Sequence, residues 1–206
     1  MDKVMFISHQ TPVYGYLDSI RLALEGGIRF VQLRVKDVDK AKIISIAEKA
    51  KAECDKYNAM LIIDDYADLV CECKLDGVHL GKDDMPVADA RKMLGKSKII
   101  GATANSYNDI LAAVNAGADY IGLGPYAFTR TKNKLSPILG LAGCGNVIAE
   151  MRKNNIHTPV YAIGGITLDD VKPLIECGMY GIAVSSAILS TENPVLMAKE
   201  FANFAF

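Results

Sequence analysis

Several familiar features are missing from this 206-residue chain, and each absence excludes something. No apolar run approaches the roughly 18 residues of a membrane span. The opening residues, Met1-Asp-Lys-Val-Met-Phe-Ile-Ser8, hold too short an apolar core for a secretory signal and read instead as a first strand. Net charge is nearly absent: 23 Lys and Arg against 24 Asp and Glu leave −1, which gives no electrostatic ground for nucleic-acid or anionic-membrane partners. The five cysteines (Cys54, Cys71, Cys73, Cys144, Cys177) form no C-x-x-C pair, and an odd count fits reduced thiols in a cytoplasmic protein better than a disulfide framework. Cys71-Glu-Cys73 could be read as metal-binding. It lies, however, where an amphipathic helix should pass, and a buried free cysteine behaves as a small hydrophobe. No low-complexity segment or linker divides the chain, so residues 1–206 read as one domain. Whether that domain forms a homo-oligomer is open at this level.

Half the residues are hydrophobic and 23% are charged, the profile of a soluble globular enzyme. Strand-like runs alternate with helical patterns throughout. The strands are expected at Val4 to Ser8, Phe30 to Leu33, Met60 to Ile63, Gly77 to Leu80, Ile99 to Ala102, Tyr120 to Leu123, Val160 to Ile163 and Gly181 to Val184. Helices are expected at Ser19 to Glu25, Asp39 to Lys56, Val87 to Leu94, Tyr107 to Ala116, Gly145 to Asn154, Leu168 to Cys177 and Pro194 to Phe204. Near-continuous apolar strands separated by helices predict an α/β protein with a buried parallel sheet. Eight such units predict a single (β/α)8 TIM barrel, with a doubly wound open sheet as the alternative.

In a barrel the chemistry sits at the C-terminal ends of the strands. Strands 2 to 5 run in turn into Arg34-Val-Lys36-Asp37, Asp64-Asp65, Gly81-Lys82-Asp83-Asp84 and Thr103-Ala-Asn105-Ser106. Strand 6 gives way to a break at Gly124-Pro125 and a long loop carrying Thr129-Arg130-Thr131-Lys132. Strand 7 ends in Gly164-Gly165-Ile166-Thr167 and strand 8 in Ser185-Ser186. Ser106 and Thr167 each precede a helix and suit caps. Any one cluster could be solvated surface, but in register at one rim they define a site. Two hydroxyls and two cations within 129–132 suit a phosphate. The Gly164-Gly165 pair before a helix, with Ser185-Ser186 after the next strand, suits a monophosphate.

Asp65 and Asp84, on neighbouring strands with no histidine or cysteine ligand beside them, suit a hard ion such as Mg2+. Arg34, Lys36 and Lys132 would surround the same phosphates, which points to a diphosphate leaving group. The plain alternative is a salt-bridge network at the rim.

Taken together, Gln32-Leu-Arg-Val-Lys36, Asp64-Asp65, Gly77-Val-His-Leu-Gly-Lys-Asp-Asp84, Ala118-Asp-Tyr-Ile-Gly-Leu-Gly-Pro125, Thr129-Arg-Thr-Lys132 and Ala162-Ile-Gly-Gly-Ile166 resemble the thiamine phosphate synthases. The resemblance implies a TIM barrel that joins a hydroxymethylpyrimidine diphosphate to a thiazole phosphate with Mg2+, releasing diphosphate. By the same resemblance, Gln32, Arg34 and Lys36 contact the pyrimidine diphosphate, with Asp64 beside them. Asp65 and Asp84 match the Mg2+ ligands, and Thr103 and Lys132 meet the diphosphate. Thr129, Arg130, Thr131, Gly164, Gly165, Ser185 and Ser186 match the thiazole-phosphate site. The chain departs from the pattern where Asp64 replaces an asparagine, Lys82 a glutamine and Asn105 a common histidine. Adjacent strands predict that Asp64 and Lys82 pair, each cancelling the other's added charge. The rival readings are a related thiazole tautomerase, which needs a well-placed histidine, and a non-catalytic barrel that binds a phosphorylated metabolite. His79 within a strand and His157 at a helix end look poorly placed for the former.

Overall fold

A computed structural model describes residues 1–129 and 136–204. Eight strands, β1 (Val4–Ile7), β2 (Phe30–Leu33), β3 (Met60–Asp64), β4 (Gly77–Leu80), β5 (Ile99–Ala104), β6 (Tyr120–Leu123), β7 (Val160–Ile163) and β8 (Gly181–Val184), pair in parallel and in sequence order. The β1–β8 pairing, with Met5 opposite Ala183, closes the barrel and excludes the open sheet. Two strands outrun the apolar pattern that predicted them. Asp64 remains paired with His79, and Thr103 and Ala104 with Gly122 and Leu123. In both, a polar side chain ended the apolar run before the backbone ladder ended.

Around the barrel lie α1 (Tyr16–Glu25), α2 (Lys40–Lys56), α3 (Leu69–Glu72), α4 (Val87–Leu94), α5 (Tyr107–Asn115), α6 (Gly140–Lys153), α7 (Val171–Cys177), α8 (Ser186–Leu189) and α9 (Pro194–Ala202). In α2 the buried residues Ile43, Ala47, Ala50 and Cys54 recur at helical spacing, so one stripe faces the strands. Its N-cap Asp39 accepts the Lys42 amide at 2.8 Å, and Ser106 does the same for the Asp109 amide ahead of α5. Thr167 pairs instead with the Asp170 carboxylate, at 2.7 Å from its hydroxyl. Helix α6 starts five residues before its predicted Gly145, because Gly140 and Gly143 hide a helical start from any reading by propensity. The single turn of α8 is too short to show a period.

The pleat divides each strand between two cores. Val4, Phe6, Val31, Leu33, Leu61 and Ile63 face the helices. Met5, Phe30, Ile62, Tyr120, Tyr161 and Ala183 fill the barrel interior. There Phe30, Tyr120 and Tyr161 pack edge to face with ring centroids 5.5 to 5.8 Å apart. Gly101 is needed inside the barrel, since a Cβ there would overlap the Tyr120 ring. Tyr161 donates its hydroxyl downward to the Asp2 carbonyl at 2.6 Å, whereas the Tyr120 hydroxyl meets His79 Nδ1 at 2.8 Å. The interior is therefore layered, aromatic below and polar above.

Candidate active site

One layer above the aromatic floor, the same alternation points Gln32, Asp64, His79 and Thr103 into the barrel, where they line a cavity of about 310 Å³. That is a small-molecule volume. Gln32 Nε2 donates to Asp64 Oδ1 at 2.7 Å, while Gln32 Oε1 is buried without a partner among the described residues. Such an atom costs stability unless something donates to it. Arg34 Nε lies 3.4 Å from Asp64 Oδ2, and Lys36 Nζ lies 3.7 Å from it while contacting Asp65 closely. Burial pushes the Asp64 carboxyl up to about 7, aided by the Asp65 charge. Lys36 and Arg34 pull the other way, but neither is close enough to cancel burial. Burial lowers the Lys36 pKa, yet contact with Asp65 and the charge of Asp64 outweigh it and hold the ammonium above its usual value.

Successive strand residues should face opposite sides, yet Asp64 and Asp65 both line the cavity. Asp65 achieves this by a left-handed turn (φ 68°), a conformation that costs a non-glycine residue about 1–2 kcal/mol. It brings the Asp65 carboxyl into contact with that of Asp84. Asp84 is oriented from its other side, its Oδ2 accepting the Gly81 amide at 2.6 Å. Burial raises the Asp84 pKa and Asp65 raises it further, against the Gly81 amide. Two facing carboxyls with no imidazole or thiolate are a hard-oxygen donor set. They fit a Mg2+ ion that takes its other ligands from water and phosphate.

Lys82 does not pair with Asp64 as the sequence predicted. It forms its ion pair with Asp109 on α5, at 2.7 Å, and Asp64 is buried below it among Gln32, Arg34 and Lys36. Strand adjacency places two backbones side by side, but Lys82 lies past the end of β4, and although it borders the cavity its ammonium reaches Asp109 rather than Asp64. Asn105 joins two loops: its amide donates to the Gly124 carbonyl, and its Oδ1 accepts from Ser136 Oγ at 3.2 Å. It thereby ties the end of β5 to the loop after β6.

Across the cavity, Gly164 and Gly165 adopt φ of 95° and 68°. A Cβ on Gly165 would lie 2.6 Å from the Phe128 carbonyl oxygen, and the Ala127 amide donates to the Gly164 carbonyl at 2.9 Å. The glycine pair thus admits the β6 loop as well as lining the cavity. Thr129, Ser185 and Ser186 line the same space. Arg130, Thr131 and Lys132 lie outside the described residues.

The structure therefore brings together Gln32, Arg34, Lys36, Asp64, Asp65, Asp84, Thr103, Thr129, Gly164, Gly165, Ser185 and Ser186 around one cavity. It adds two histidines that sequence reasoning passed over. His79, set aside as a strand residue, faces the cavity with Nδ1 on Tyr120 and Nε2 3.0 Å from Thr103 Oγ1. Period-two alternation from Gly77 would have found it. His9 comes after β1 at the rim position that Arg34 occupies after β2, and its Nδ1 lies 2.9 Å from Ser185 Oγ.

A family model described as thiamine monophosphate synthase matches residues 4–188. A thiamine-phosphate synthase of Phocaeicola vulgatus is 49% identical over 98% of this chain and 97% of its own length. One from Bacteroides fragilis is 46% identical over 98% of this chain and all of its own. Among solved structures, the thiamine phosphate pyrophosphorylase of Pyrococcus furiosus superposes with a TM-score of 0.84 at 31% identity, covering 97% of this chain and 93% of that one.

Proposed function

The chain belongs to the thiamine monophosphate synthase family and is a transferase, and from that premise we propose that its cavity holds two substrates in two sectors. The pyrimidine diphosphate occupies the sector after β2 to β5, and the thiazole phosphate the sector after β6 to β8. The reaction joins 4-amino-2-methyl-5-hydroxymethylpyrimidine diphosphate to the thiazole phosphate, giving thiamine phosphate and diphosphate. The observation that carries the assignment of sectors is the charge asymmetry of the cavity. Among the described residues, Arg34, Lys36, Asp64, Asp65, Lys82, Asp83 and Asp84 crowd one side, and hydroxyls and glycines, with His9, line the other.

Gln32 Oε1, buried and without a partner among the described residues, suits the exocyclic amino group of the pyrimidine as its missing donor. Ionisation breaks the bond between the pyrimidine methylene and the diphosphate oxygen, and the electron pair leaves with the diphosphate. Arg34, Lys36 and Lys132 bind the growing negative charge, and Thr103 donates to it from the β5 end. Asp65 and Asp84 would hold Mg2+, which when bound neutralises the departing diphosphate. The thiazole nitrogen then attacks the carbocation, so no protein nucleophile is required. Thr129, Arg130, Thr131, Gly164, Gly165, Ser185 and Ser186 hold the thiazole phosphate and set the second substrate in line.

Product formation from both substrates, measured with and without Mg2+, tests this reading. Isomerisation of a thiazole phosphate alone would replace it with the tautomerase, and phosphate binding without turnover with a sensing barrel. Lys132→Ala should lower kcat about 10²-fold with little change in the Michaelis constant for the thiazole phosphate. A change confined to that constant would move Lys132 to the other subsite.

A further inference from the structure

His9 and Ser185 are 176 residues apart in sequence, yet they meet across the β8–β1 seam of the cavity. The backbone before His9 is held firmly. The Ser8 amide donates to the Gln32 carbonyl at 2.9 Å, and Ser8 Oγ accepts the Arg34 amide at 3.1 Å. On this side of the cavity, among the described residues, the lining from β7, β8 and β1 offers glycines, hydroxyls and apolar groups, and His9 is its one titratable side chain. A phosphate placed here meets few charges, so the direction of each hydroxyl proton matters.

We propose that His9 is a positioning residue for the phosphate of the thiazole substrate, its Nδ1–H donating to Ser185 Oγ so that the Ser185 proton points at the phosphate. A serine hydroxyl has one proton and two lone pairs. With one lone pair occupied by His9, the hydroxyl proton is directed away from the imidazole and into the cavity, and the two bonds in series polarise each other. Burial and the nearby Arg34 both lower the His9 pKa, so the imidazole is neutral near pH 7 with one proton to place. This inference rests on the assignment of the thiazole phosphate to the β7–β8 loops.

Steady-state kinetics with both substrates separate the two claims. His9→Ala should raise the Michaelis constant for the thiazole phosphate about tenfold, the effect of losing one directed hydrogen bond to a charged group. Turnover number and the constant for the pyrimidine diphosphate should change less than about twofold, the value expected of a group acting only on binding. His9→Asn places an amide nitrogen where Nδ1 sat and should restore most of the loss, whereas His9→Gln, whose nitrogen overlays Nε2, should not. Ser185→Ala should match His9→Ala, and the double variant should be no worse than either. An unchanged Michaelis constant in His9→Ala, additive losses in the double variant, or equal behaviour of the Asn and Gln variants would overturn the proposal. Should His9→Ala fail to fold, the contrast between Asn and Gln decides alone. Ser186→Ala is the control for the subsite. If it raises the constant while the His9 variants do not, the subsite stands and the relay is wrong. If Ser186→Ala and Ser185→Ala both leave the constant unchanged, the assignment of the subsite fails and the relay with it.

Discussion

The floor and the mouth of this barrel are built from the same eight strands, with the same alternation of side chains, and they solve opposite problems. On the floor, Met5, Phe30, Ile62, Tyr120 and Tyr161 are buried and neutral, the three rings pack edge to face, and both tyrosine hydroxyls have partners. One layer up, Gln32 Oε1 is buried without a partner among the described residues, the carboxyls of Asp65 and Asp84 face each other, and Asp65 sits in a left-handed turn. Each of those features costs folding free energy. The floor contributes the apolar burial that offsets them, and under the proposed function the mouth keeps groups whose missing partners are substrate atoms. Stability and function are therefore separated by height within one interior.

Substitutions can break or sharpen that contrast. Phe30→Ala should have the largest effect on stability, a loss of about 3–5 kcal/mol in urea unfolding, because it opens a cavity between two tyrosines that cannot collapse. A loss under about 1 kcal/mol would mean that the floor is not what holds the barrel. Asp65→Asn keeps a residue that tolerates the left-handed turn and should lower turnover about 10²-fold or more. Its unfolding free energy without Mg2+ should stay within about 1 kcal/mol of the parent, since the lost Lys36 contact is balanced by relief of the Asp84 repulsion.

Asp64→Asn tests the buried acid through pH. The folded carboxyl titrates near 7, above its ordinary 3.8, so the folded state holds the proton more tightly than the unfolded chain does. That contribution is fully present below about pH 4 and is lost as pH rises through 7. Without Mg2+, the stability of the parent should therefore fall across that window by more than about 1 kcal/mol relative to the variant. Parallel curves would show that Asp64 stays ionised. The smallest effect is expected for Lys82→Gln. Its ion pair with Asp109 is partly exposed, so stability should drop by under about 1 kcal/mol, and the effect should add to that of Asp64→Asn. A non-additive result would reinstate the pairing of Lys82 with Asp64.

The architecture is already written in the order of the residues. Four-residue apolar runs such as Val4–Ile7 and Tyr120–Leu123 are stable only with both faces covered, and eight of them separated by helices leave a closed parallel barrel as the arrangement without edges. Most of the rim is legible in the same way. Arg34, Lys36, Asp65, Asp84, Gly164, Gly165 and Ser186 come just after strands, and strand ends converge in a barrel wherever they lie in the chain.

The partnerships between side chains, by contrast, arise only on folding. Side-chain direction past a strand end depends on backbone dihedrals that composition does not encode. Hence Lys82 turned to Asp109, while Asp65, through one left-handed residue, turned inward to Asp84. His79 was legible only once Gly77 was known to face inward, and His9 only once β1 had closed against β8. A pair such as His9 and Ser185, at opposite ends of the chain, leaves no local signal, because the ring closure that joins them is a property of all eight strands together.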